Sequence, residues 1–143
     1  MKKKLTAALA LALTVSMALS GCTITHPLSE EFDEAVVTDA AQAILVKIVD
    51  GDYQAVVDAF RDDVVDAYSV NAQTIEDIIT DAQKGAGDYV SIEETLVLGG
   101  KSKDFDEPFA DVSIYCEYEK EDIIFEMSLD TNLELIGLSA NQK

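Results

Sequence analysis

The chain has 143 residues, with 10 Lys+Arg against 28 Asp+Glu and a formal charge of −18. Such a surface repels phosphates, which argues against nucleic acid as a partner and favours cations or basic surfaces. Apolar residues recur in periodic runs throughout, so the composition fits one small packed domain rather than an acidic disordered chain.

The first element is not part of that domain. Lys2-Lys3-Lys4 precede an uncharged apolar stretch from Leu5 to Leu19, and Leu19-Ser20-Gly21-Cys22 closes it. A basic start, a short apolar segment and small residues at its end describe a secretory signal peptide, too short to cross a bilayer as an anchor. Ending on cysteine, the segment resembles a bacterial lipoprotein signal. That resemblance implies cleavage before Cys22 and a diacylglyceryl group on its sulfur, giving the two chains that stable anchoring needs. Residues 1–21 are then the signal, 22–29 a lipidated tether and 30–140 the domain, held extracytoplasmically on the cell membrane. Losing 1–21 removes three basic residues and no acid, so the formal charge moves from −18 to −21.

Ser29 and the acids Glu30, Glu31, Asp33 and Glu34 predict the start of a first helix. Phe32, Val36, Val37, Ala40, Ile44 and Ile48 give its apolar face, and Gly51 its end. Asp52 can cap a second helix whose apolar face carries Tyr53, Val56, Val57, Phe60, Val64 and Ala67. A third starts near Asn71 or Thr74, carries Ile75, Ile78, Ile79 and Ala82, and stops at Gly85-Ala86-Gly87.

The period then changes to two. Val90, Ile92, Leu96 and Leu98 share one face of a strand over Tyr89–Leu98. Gly99-Gly100 and Lys101–Glu107 predict a turn or long loop. Phe109–Glu119 is a second strand with Ala110, Val112, Ile114, Cys116 and Tyr118 aligned. Ile123, Phe125, Met127 and Leu129 follow on a third, and Leu133–Ser139 is a fourth beyond the turn at Asp130-Thr131-Asn132. Three helices followed by a four-stranded antiparallel meander predict an α+β domain with the helices on one face of a curved, cone-like sheet.

The junction Ile48-Val49-Asp50-Gly51-Asp52-Tyr53, Phe60 and the closing hairpin Ile123–Leu138 make the chain resemble the nuclear transport factor two-like (cystatin-like) superfamily, in particular its small bacterial lipoproteins of unknown function. The resemblance implies a bent sheet around a long helix with an internal pocket. It assigns no reaction, since members of this fold include enzymes and binding modules.

Chemistry-bearing residues are few. The single histidine, His26, falls in the tether, so the domain lacks a His-based dyad or metal site. Cys116 is left as a small buried hydrophobe, and Cys22 as the lipidation site. Glu94 falls on the otherwise apolar face of Val90 and Leu96, where a pocket would suit it to acid–base work; a bulge at that point would instead turn it to water. Tyr53, Tyr68 and Tyr118 could line the mouth of such a pocket, or pack in the core with wet hydroxyls. Asp104, Asp106, Glu107 and Asp111 cluster without the spacing of a calcium loop, and Asp130, Asn132 and Glu134 read as a hairpin turn. No cofactor and no metal is expected.

Two functions follow as expectations. The first is a non-catalytic, membrane-tethered binding module with an envelope protein or a small apolar ligand as partner, with dimerisation through the sheet open to it. An accessory-subunit form of this reading places an exposed apolar patch at Ile124, Ile136 and Leu138. The alternative is a small pocket enzyme using Glu94 and a tyrosine as its acid–base pair.

Overall fold

A computed structural model describes residues 26–102 and 105–143. Among the described residues four helices come first: α1 (Glu34–Val49), α2 (Tyr53–Asp58), α3 (Asp62–Tyr68) and α4 (Ala72–Gln83). Four strands follow: β1 (Tyr89–Ser102), β2 (Phe105–Tyr118), β3 (Ile123–Leu129) and β4 (Leu135–Gln142). The strands form one curved antiparallel sheet in the order β1-β2-β3-β4. Helices pack on one face of it, as the change of period from helical to alternating predicts. Leu45, Ile48, Ile75 and Ile79 from the helices meet Ile114, Phe125, Met127 and Leu138 from the sheet in a single buried core. Phe60 and Phe125 are both inside it.

Caps set the helix ends. Helix α1 is capped by Asp33, whose carboxylate accepts the Ala35 and Val36 N–H groups, so Ser29, Glu30 and Glu31 lie in a preceding turn while Glu34 opens the helix. Asp52 caps α2 and Asn71 caps α4 through the same kind of bond. The single second helix expected over Tyr53–Ala67 is two helices. Its chain breaks at Phe60–Arg61, where Leu135 N–H donates to Ala59 C=O (2.8 Å) and Arg61 N–H donates to Leu135 C=O (3.0 Å). Backbone given to the start of β4 cannot also continue a helix.

The first hairpin is longer than expected. Gly99 and Gly100 lie inside β1, and Asp106 and Glu107 lie inside β2 rather than in a loop. Phe109 packs where a Gly100 side chain would be, so only glycine admits its ring there. Entry to the domain also comes earlier than residue 30. His26 N–H donates to Gly99 C=O (3.2 Å) and Gly99 N–H donates to His26 C=O (2.8 Å). Leu28 then packs against the core.

Two bulges in β1 correct the face assigned to it. Register shifts between Tyr89 and Ser91 and between Ile92 and Glu94 each insert a residue, and each insertion reverses the alternation. Ile92 stays inside opposite Cys116, whereas Glu94, Leu96 and Leu98 pair with Tyr115, Ser113 and Asp111 on the outer face. Thr95 and Val97 take the inner positions. Val90, Leu96 and Leu98, expected in the core, are 51, 42 and 46% exposed. The patch expected at Ile136 and Leu138 is core instead, at 1 and 0%.

Candidate functional site

The residues proposed for a pocket divide between the two faces of the sheet. Glu94 is exposed on the outer face, turned there by the bulge before it. Tyr118 is buried on the inner face, where its hydroxyl accepts the Gln83 Nε2–H at 3.1 Å. Its ring meets Tyr89 edge-on, with centroids 5.6 Å apart. Burial raises the Tyr118 pKa, partly offset by the Gln83 bond, with smaller contributions from Cys116, Tyr89 and Tyr53. Tyr53 is raised by burial and then by Glu76, and Tyr89 by burial and then by Cys116. The structure therefore sets Tyr118 against an unforeseen tyrosine, Tyr89, while Tyr53 packs against the same core. Tyr68, half-buried near the end of α3, packs against the core. Cys116 is fully buried, and burial followed by the charge of Glu93 pushes its thiol up to about 12, which suits packing and not attack. Cys22 and Asp104 lie outside the described residues.

The outer sheet face is chequered. Strand β2 contributes Asp111, Ser113 and Tyr115; opposite them β3 carries Ser128, Glu126 and Ile124. Ser128 Oγ–H donates to Asp111 at 2.6 Å, and Ser139 Oγ–H to Glu126 at 3.4 Å. Desolvation raises the Asp111 pKa, against the pull of its Ser128 bond, and Glu126 adds to the rise. Among the described residues no three His, Cys, Asp or Glu side chains converge to hold a metal ion. This face can offer hydrogen-bond acceptors and apolar contacts to a partner.

At the hairpin end, the incoming chain and β1–β2 enclose an open cleft of about 350 Å³ between His26, Pro27, Gly99, Lys101 and Asp106. Its mixed charges suit polar binding. Nearby, Arg61 fastens the same end. Its guanidinium donates to both Asp63 oxygens (2.7 and 2.9 Å), to Glu107 (2.9 Å) and to buried Asp130 (3.4 Å), and stacks 4.9 Å over Phe105. The Asp63 bond is the largest of several effects that raise the Arg61 pKa, and the same bond lowers that of Asp63. Asp130 Oδ1 also accepts the Asn132 and Glu134 N–H groups at 2.9 Å, so the Asp130–Glu134 alternation is a hairpin turn. Arg61 was legible as the one basic residue between Lys47 and Lys84. The outer polar row was legible as Asp111-x-Ser113 and Glu126-x-Ser128 between core positions.

Known proteins give a family and a fold. The curated proteins contain no match to this chain. Among solved structures, the chain is similar to an NMR structure of a protein from Ruminococcus gnavus ATCC 29149. The TM-score is 0.66 at 17% identity, covering 80% of this chain and 96% of that one; at that identity the likeness extends to the fold. The model of a family described as "Protein of unknown function (DUF3887)" matches residues 41–138. That span runs from the middle of α1 into β4 and holds the tyrosine pair, the Arg61 hub and the outer face. The chain belongs to the DUF3887 family of proteins of unknown function.

Proposed function

We propose that the protein is an extracytoplasmic lipoprotein, tethered to the cell membrane through lipid on Cys22, whose nuclear transport factor two-like domain binds a partner without transforming it. The observation that carries this reading is the segment Lys2–Cys22: a basic start, an uncharged apolar run and Leu19-Ser20-Gly21-Cys22 at its end. Only three residues separate Cys22 from His26, the first described residue, so the anchor would lie within roughly 14 Å of the packed chain. Among the described residues no helix is long and apolar enough to cross a membrane. The pocket-enzyme alternative needs Glu94 and a tyrosine facing one enclosed pocket, but the sheet stands between exposed Glu94 and buried Tyr118, and Tyr115, the cross-strand neighbour of Glu94, lies on the open outer face. An acid–base pair must reach one substrate from hydrogen-bond distance. The outer face, by contrast, offers what a binding surface uses: exposed apolar side chains with acceptors around them.

The test is the intact mass of the full chain expressed in a bacterium with lipoprotein processing and extracted in detergent. The expected product lacks residues 1–21 and carries the added mass of lipid at Cys22. A Cys22→Ser variant is expected to lose the lipid while keeping the folded domain. Wild-type protein with an unmodified Cys22 would overturn the assignment.

A further inference from the structure

We propose that the open edge of β1 over Thr95–Leu98 is a docking strand for an extended partner segment in which basic and apolar residues alternate. This deepens the binding-module reading and rests on it, though not on the lipid anchor.

Strand β1 ends the sheet, and its edge already accepts one piece of chain. Gly99 exchanges both of its backbone hydrogen bonds with His26, so its N–H and C=O point off the sheet. Backbone groups alternate in direction along an antiparallel strand. Val97 and Thr95 therefore point theirs to the same open side, while Leu96 and Leu98 point theirs at β2. Bulges and charges are the usual protection of an edge. Here two bulges and the pair Glu93-Glu94 lie before Thr95, the third irregularity lies beyond Gly100, and the register from Glu94 to Gly100 between them is regular.

Apolar surface flanks this edge above and below. Leu96 and Leu98 stand exposed on the outer face, at 42 and 46%. On the inner side, Gln42 of α1 donates to Thr95 Oγ1 at 3.1 Å, which fixes the helix face beside the edge. Val46 and Val49 lie within about 40° of Gln42 around that helix, and they are 57 and 37% exposed. A strand added here would cover leucines with one set of its side chains and valines with the other.

Charge selects the occupant. On the leucines' face, exposed Glu94 precedes Leu96, Asp111 pairs with Leu98, and exposed Glu126 continues the row from Leu96 through Ser113. The face already holds one cation, since Lys143 Nζ lies 5.9 Å over the Tyr115 ring. A second copy of the chain would bring its own formal charge of −18 against these acids. A segment alternating Lys or Arg with Val or Leu meets both the apolar and the acidic requirement.

The probe is a capped heptapeptide alternating Lys and Val, titrated against the full-length protein in detergent micelles. Hydrogen exchange at the Thr95 and Val97 amides should slow on binding. N-methylating the alternate peptide residues that face β1 should abolish binding, while methylating the other set should not. Leu96→Ser with Leu98→Ser should weaken binding about tenfold, with Asp66→Asn, exposed on α3 beside β4 at the other edge of the sheet, as a charge control. Equal binding by both methylated peptides would mean charge attraction alone and would overturn the proposal. So would Thr95 and Val97 protection that grows with protein concentration in the absence of peptide, which would make the occupant a second copy. Lipid on Cys22 is read separately by mass. Lipidated protein that ignores the peptide sinks the docking strand and leaves the anchor standing.

Discussion

Arg61 shows how one side chain can hold the distant parts of a small acidic domain together. Its guanidinium joins the break between α2 and α3 to β2 through Glu107 and to the β3–β4 turn through Asp130, whose side chain is 2% exposed. Shortening it to an apolar chain leaves Asp130 buried with only its two backbone donors. Removing one partner of such a pair costs more than the pair gains, because the remaining charge stays out of water. Arg61→Met is expected to lower stability by about 2–3 kcal/mol in urea denaturation, with Asp63→Asn, at an exposed carboxylate, costing much less. Asp111 carries a pH effect of definite sign. Its pKa is raised in the folded chain, chiefly by desolvation. Above the raised value it is charged in a site that disfavours charge, which costs stability. As pH falls through that value toward the ordinary carboxylate range, the folded chain takes up the proton before the unfolded chain does, and stability rises. Asp111→Asn should therefore raise the neutral-pH melting temperature by a few degrees and flatten the acid-side rise, as read by calorimetry across that range.

At the scale of elements, what was legible in the sequence is what repeats. Ile75, Ile78, Ile79 and Ala82 are all buried on α4, and the alternating run from Ala110 to Tyr118 is buried residue for residue. Asp52 and Asn71 cap where a polar residue before an apolar period should. Bulges broke the reading of β1, because one inserted residue reverses every side chain after it and leaves no mark in composition. Glu93-Glu94 was a signal, since adjacent acids cannot both sit on an alternating apolar face. The candidate site was illegible for the same reason: the one residue inserted between Ile92 and Glu94 turns Glu94 from the inner face to the outer surface. Pairing between His26 and Gly99 was illegible because it joins positions 73 apart without any apolar pattern. It is nonetheless specific. A side chain on Gly99 would run into the Pro27 carbonyl, a backbone group that cannot rotate aside. Gly99→Val should release residues 26–29, seen as loss of exchange protection at the His26 amide. The helix–sheet core should stay intact, with the α4 amides protected as before. Unchanged protection at His26 would mean that the segment is held by Leu28 alone.

At the scale of the whole molecule, charge competes with packing. The formal charge is −18 for the full chain, and the proposed loss of residues 1–21 would make it −21. Only seven basic residues then face 28 acids, and Arg61 alone engages three of them. Most carboxylates on this surface must therefore repel one another at neutral pH, a cost that mobile ions screen over about 10 Å at 0.1 M salt. Monovalent salt is expected to raise the melting temperature, and mild acidification to raise it again as Asp111 takes up its proton. The gain must reverse at lower pH. Asp63 is held below the ordinary carboxylate range by Arg61. Its contribution is present above its unfolded value and is lost as pH falls through the lowered one. Calcium tests whether any of this acidity is a site. Asp106 and Glu107 lie extended on β2, and Asp111 is turned to Ser128, so these acids do not wrap around a common centre. Calorimetry at fixed ionic strength should show calcium stabilising the fold gradually, as a divalent screen. A saturating one-to-one isotherm abolished by Asp106→Ala would instead require the hairpin end to close around the ion, drawing the acids of β2 out of their present strand.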